Sequence, residues 1–131
     1  MIQSLVLVGR GYTADLLGHH ERAVDDQRHG LSIALAHSTP RGVANSMEGL
    51  AGALAIAPDP TRHASAARLL GAADALRRRS GGAMPPAERF DVGRAERRVR
   101  RSMGDRAFDV AFADGAGHDV QELLDEVTAL A

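Results

Sequence analysis

Arginines dominate the residues able to do chemistry. Arg77, Arg78 and Arg79 form one run, and Arg94, Arg97, Arg98, Arg100 and Arg101 follow within a few turns. A guanidinium is a planar fork that grips carboxylate or phosphate with two parallel hydrogen bonds. On a helix, Arg94, Arg98 and Arg101 share one face, which could meet phosphates or an acidic partner. The simpler reading is intramolecular. From residue 107 onward the chain has acids and no Arg, so the basic helix is expected near Asp109, Asp114, Glu122 or Asp125, or simply solvated. No aromatic residue interleaves these arginines, which argues against a reader of single-stranded nucleic acid.

Two other groupings could do chemistry. Gly9-x-Gly11-x-x-Ala14 follows the apolar run SLVLV, a spacing that mimics a dinucleotide-binding turn. Ser38 and Arg41 could then serve a 2′-phosphate, and LSIALAH could be a second strand. No strand alternation follows, so a repeat helix whose glycine faces a neighbour is the better reading, and a small NAD(P)-binding enzyme fragment is its rival. Six histidines are present, with His19-His20 in a turn and His29 near Asp25 and Asp26. A metal site needs several converging, supported ligands, and nothing in these spacings supplies them. No Ser sits in a nucleophile turn. The expectation is a non-enzymatic chain with no catalytic residue, cofactor or metal.

Composition narrows the class. With 131 residues the chain can bury one core. Three Phe, one Tyr and no Trp leave Leu, Ala and Val to fill it, a choice that favours closely packed helices over strands. There is no Cys, hence no disulfide framework and no thiolate chemistry. The formal net charge of −1 argues against a general nucleic-acid binder. No stretch approaches the roughly 20 apolar residues of a membrane span, and MIQSLVLVGRG lacks the basic start of a signal peptide. A cytoplasmic setting follows as the expectation.

The elements that would carry these residues read as seven helices and no clear strand. Residues 3–17 are apolar nearly all round, with Leu5, Val8, Tyr12 and Leu16 on one stripe. Residues 20–37 carry Ala23, Leu31 and Ala34 around a polar middle, Asp25 to His29. Thr39-Pro40 pairs an N-cap with a first-turn proline, and Val43, Met47, Leu50, Ala51 and Leu54 then repeat with helical period. Asp59-Pro60 repeats that start, with Ala66, Leu69, Leu70, Ala73 and Leu76 as the stripe. Gly81-Gly82 stops it and Pro85-Pro86 opens a helix over about 86–103 with Val92, Ala95, Val99 and Met103 inward. Gly104-Asp105 reads as a stop and a cap, before the short apolar face of Phe108, Ala111 and Phe112. Asp119 with Glu122 has the spacing of a capping box ahead of Val120, Leu123, Leu124 and Val127. Gly71, inside a helix, is expected to mark a close helix–helix crossing.

Helices of similar length with short breaks suggest stacked antiparallel αα-hairpins. Gly11 and Ala23 have the separation of small residues in a tetratricopeptide repeat, and Gly52 recurs in a second unit. The single domain then divides into hairpin segments 3–56 and 59–79, capped by helices over 85–131. GVANSMEGLAGALAIAPDP, AARLLGAADALR, MPPAERFDVGRAERRVRRSMGDRAFDVAFADG and ELLDEVTALA carry a further likeness. In order, they resemble the C-terminal tetratricopeptide-like region of actinobacterial transcriptional regulators. Those proteins join a STAND-type NTPase to a helical sensor and a DNA-binding domain, often LuxR-type. The family's ATP-binding motif has no counterpart here, since the chain has no Lys.

The resemblance implies a protein-interaction or sensor module of a transcriptional regulator, TPR-like and all-α, with a protein partner or neighbouring domains. Arg10, Asp15, Asn45 and Glu48 would lie on its concave side. An oligomerising helical scaffold, with a homodimer burying apolar ends, is the other alternative.

Overall fold

The computed structural model describes residues 20–56, 59–81, 84 and 86–130. These form α1 (His20–His37), α2 (Pro40–Ile56), α3 (Pro60–Ser80), α4 (Pro86–Met103), α5 (Asp105–Ala116) and α6 (Val120–Ala129), with no strand among the described residues. The expected helix over 3–17 and the glycine fingerprint at 9–14 lie outside them. LSIALAH, the possible second strand, is the last two turns of α1.

Helix ends fall where the capping residues put them. The Thr39 hydroxyl accepts from the Gly42 N–H at 3.3 Å, and the Asp59 carboxylate accepts from the Thr61 N–H at 2.9 Å with Pro60 as the first helical residue. Gly81 ends α3 at φ 72°, a left-handed conformation that costs glycine least. Gly104 turns the chain between α4 and α5 at φ 90° and is itself the cap, so Asp105 is the first residue of α5 rather than its N-cap. Glu122 accepts from the Asp119 N–H at 3.2 Å and completes a capping box on α6.

The core lies between α2 and α3, which are buried on most of their sides. α1 packs on α2, and α3 packs on α2, α4, α5 and α6. α4 also meets α2, and α6 returns to α1. Leu31, Met47, Leu50, Leu54, Leu69, Val99, Phe108 and Val127 are all but fully buried. The polar middle of α1 resolves by helical period. Ala23, Gln27, Leu31 and Ala34 share the inward stripe, so Gln27 is 0 % exposed while Asp25 faces solvent.

Short residues set the tightest contact. A Cβ on Gly71 of α3 would stand 1.9 Å from the Phe112 carbonyl oxygen of α5. One on Gly115 of α5 would stand 2.0 Å from the Arg68 carbonyl oxygen of α3. The crossing expected at Gly71 is therefore real, and it takes a glycine from each helix.

Candidate functional site

α4 has two opposed faces, as a 3.6-residue period demands. Ala95 and Val99 are buried, with Val92 and Met103 half-buried beside them. On the far side Phe90, Arg94, Arg97, Arg98 and Arg101 recur at i, i+4, i+7, i+8 and i+11, and all five are exposed. Pro86 opens the helix and Gly104 stops it, so the stripe occupies its central and last turns. Cations near a helix C-terminus also sit favourably in the helix dipole.

The stripe is only lightly neutralised. Arg94 reaches Asp91 at 3.2 Å, and its guanidinium carbon lies 6.0 Å from the centroid of the Phe90 ring. Among the described residues Arg97, Arg98 and Arg101 have no ion pair. Arg97 lies back over Gly93, where a Cβ would meet its terminal nitrogen at 3.3 Å. Phe90 is 66 % exposed, an apolar anchor at the start of a cationic row. In sequence it falls between Arg89 and Arg94, so an aromatic does stand within the arginine-rich stretch, though none lies inside Arg94–Arg101.

Arg100 points another way: it reaches Asp109, one of the acids expected from the sequence, while Arg97, Arg98 and Arg101 take the other half of that expectation and are solvated. It reaches Glu96 at 3.1 Å, Asp105 at 3.2 Å and Asp109 at 2.9 Å. It also lies 4.1 Å over the Phe108 ring. Burial opposes its charge, but the hydrogen bonds to Glu96, Asp109 and Asp105 outweigh that and raise its pKa above the ordinary arginine value. Arg100 thus ties α4 to α5 and leaves its neighbours facing water. The other acids named from the sequence pair elsewhere. Asp114 and Glu122 flank His118 at 3.3 and 3.5 Å, and Gln121 donates to Asp125 at 3.0 Å.

Of the four residues expected on a concave face, two are described. Arg10 and Asp15 lie outside the described residues. Asn45 is half-exposed on α2. Glu48 departs from the expectation of a surface residue. It is 4 % exposed, and its two carboxylate oxygens accept from Arg77 at 2.7 and 2.8 Å. Arg77 is itself 7 % exposed. Two such groups are buried together because a bidentate pair satisfies what water otherwise would.

Several polar contacts carried no sequence signal. The Arg68 guanidinium holds Glu126 of α6, and Arg62 holds Glu21 of α1 at 2.9 Å. Ser102 Oγ and His63 Nδ1 are 2.6 Å apart, joining the end of α4 to the start of α3. The pairs span 58, 41 and 39 residues, beyond the reach of any local pattern. Outside the stripe, α5 exposes Val110 beside a shallow cleft of about 800 Å³ lined in part by Met103, Ala107 and Ala111.

Among the described residues no group of three or more His, Asp or Glu could hold a metal ion, and no helix is long and apolar enough to cross a membrane. The chain matches no protein-family model, no curated protein and no solved structure.

Proposed function

We propose that the protein is a non-catalytic interaction module whose docking face is the outer side of α4. The observation that carries this is the exposed row of Phe90, Arg94, Arg97, Arg98 and Arg101, of which the last three have no ion pair among the described residues. Three guanidinium forks on one rigid face suit carboxylates on a partner, and an exposed aromatic beside them supplies the apolar contact that charge alone lacks. The net charge of −1 means that this face is a local feature and not part of a generally basic protein.

In the same proposal α1, α2 and α3 form the body of a small tetratricopeptide-like stack, each packed on the next, with α4, α5 and α6 folded over α3 as its cap. Read with the resemblance of residues 42–131, the setting is the sensor region of a transcriptional regulator. An acidic neighbouring domain docked on α4 would then report binding to the rest of such a protein.

A fluorescent Glu-rich peptide carrying one central Leu tests the docking face. The wild-type chain is expected to bind it, with affinity falling as salt rises. Replacing Arg97, Arg98 and Arg101 by Gln removes three exposed pairs worth about 0.2–1 kcal/mol each, a loss of roughly 3- to 150-fold. Equal binding by the triple variant would refute the assignment of the face.

A further inference from the structure

Besides the basic stripe of α4, the chain gathers exposed acids on a second face. Residues 107–131 contain Asp109, Asp114, Asp119, Glu122, Asp125 and Glu126 and no Arg. Asp109 is taken by Arg100 and Glu126 by Arg68. Asp114, Asp119, Glu122 and Asp125 are exposed around the α5–α6 turn and along the outer side of α6. The inner side of α6 is Leu123, Leu124 and Val127, all buried. No cation among the described residues pairs with Asp119 or Asp125; His118 stands beside Asp114 and Glu122, and Arg68, held by Glu126, lines the same cleft.

The two faces suit each other in length as well as sign. Arg94 to Arg101 rises about 10 Å along α4, and Asp119 to Asp125 about 9 Å along α6, at 1.5 Å per residue. Within one molecule they do not neutralise each other, since none of Arg97, Arg98 and Arg101 forms an ion pair among the described residues. α4 packs on α2, α3 and α5, whereas α6 packs on α3 and α1.

We infer that the acidic partner of the α4 stripe is the α5–α6 face of a second copy of this chain. The inference rests on the reading of α4 as a docking face and names its occupant. A basic face meeting a different, acidic face is a heterologous contact, so association runs head to tail and continues unless the rotation closes a ring. A net charge near zero leaves no long-range repulsion to oppose it. Contacts between exposed charges are screened over about 8 Å at physiological salt, so the association is concentration-dependent and strongest at low ionic strength.

Sedimentation of the full chain tests this. In about 20 mM salt the mean mass is expected to rise with concentration above the 13.8 kDa monomer, and in about 0.5 M salt to return to it. The variant Arg97→Glu, Arg98→Glu, Arg101→Glu and the variant Asp114→Arg, Asp125→Arg, which spares the α6 cap, are each expected to stay monomeric. Mixed together they are expected to associate, because each then offers the face that the other lost. A wild-type monomer at millimolar concentration in low salt would overturn the inference. So would an association indifferent to salt or to both charge reversals. If the monomer still binds the Glu-rich peptide through Arg97, Arg98 and Arg101, the docking face stands and only its occupant changes.

Discussion

At the scale of single residues, buried and exposed arginines do different work. Arg77 and Glu48 form a bidentate pair in the core, where removing one side chain takes two charge-assisted hydrogen bonds from the other's buried charge. Glu48→Ala is expected to cost about 3–5 kcal/mol, measured by chemical denaturation. The double variant Glu48→Leu, Arg77→Met is expected to lose far less than either single change. Arg100→Lys is expected to destabilise as well, by about 1–2 kcal/mol, because an ammonium cannot span three carboxylates and lie flat on Phe108. Replacing Arg98, exposed and without an ion pair among the described residues, by Gln is expected to change stability by less than about 0.5 kcal/mol.

Legibility at this scale follows sequence distance. Gly71 was readable because a glycine costs a helix interior about 1 kcal/mol, so its presence asks for a reason. Its counterpart Gly115 sits two residues before Gly117 near a helix end, where glycine is ordinary, and nothing local marks it as half of a crossing. Asp109 was readable as a partner for the basic helix. Glu126 with Arg68, and Glu48 with Arg77, join helices that no short-range rule pairs. Phe90 lies outside the Arg94–Arg101 run, and only helical period brings its ring into line with Arg94 and Arg98.

At the scale of elements, the chain writes its helix ends plainly and their order in space hardly at all. Thr39-Pro40, Asp59-Pro60 and Gly81 act through backbone groups within a few residues of themselves, so the bounds of α2 and α3 follow from sequence. That α5 crosses α3 at backbone contact does not. It depends on two carbonyls meeting two missing side chains 44 positions apart, Gly71 and Gly115. Gly71→Ala and Gly115→Ala are each expected to destabilise at or beyond the roughly 1–3 kcal/mol of ordinary overpacking, since backbone and not a flexible side chain would have to move. Gly42→Ala, whose Cβ would meet the Ser38 side chain, is expected to be milder. Thermal melts of the three variants rank them; equal melting temperatures would contradict the crossing.

At the scale of the whole molecule, α3 is the axis about which the rest is arranged. Its neighbours α4 and α6 carry opposite charge outward, and α5 closes the space between α4 and α3. The composition made the helical build of the described residues legible, through scarce aromatics and abundant Ala and Leu. The segregation of charge was visible in outline, as an Arg-rich stretch before an acid-only one. What could not be read was that Arg100 alone satisfies the internal demand and leaves Arg97, Arg98 and Arg101 without ion pairs among the described residues.

That the outer side of α4 is the docking face is tested by following backbone amide resonances as the Glu-rich peptide is added at a protein concentration and salt where the chain alone is monomeric, so that self-association adds no shifts of its own. Shifts are expected to concentrate between Phe90 and Arg101, with the amides of α2 and of the Gly71–Gly115 crossing unmoved. Shifts centred on the Val110 cleft, or no shifts at any salt while the fold stays intact, would contradict it.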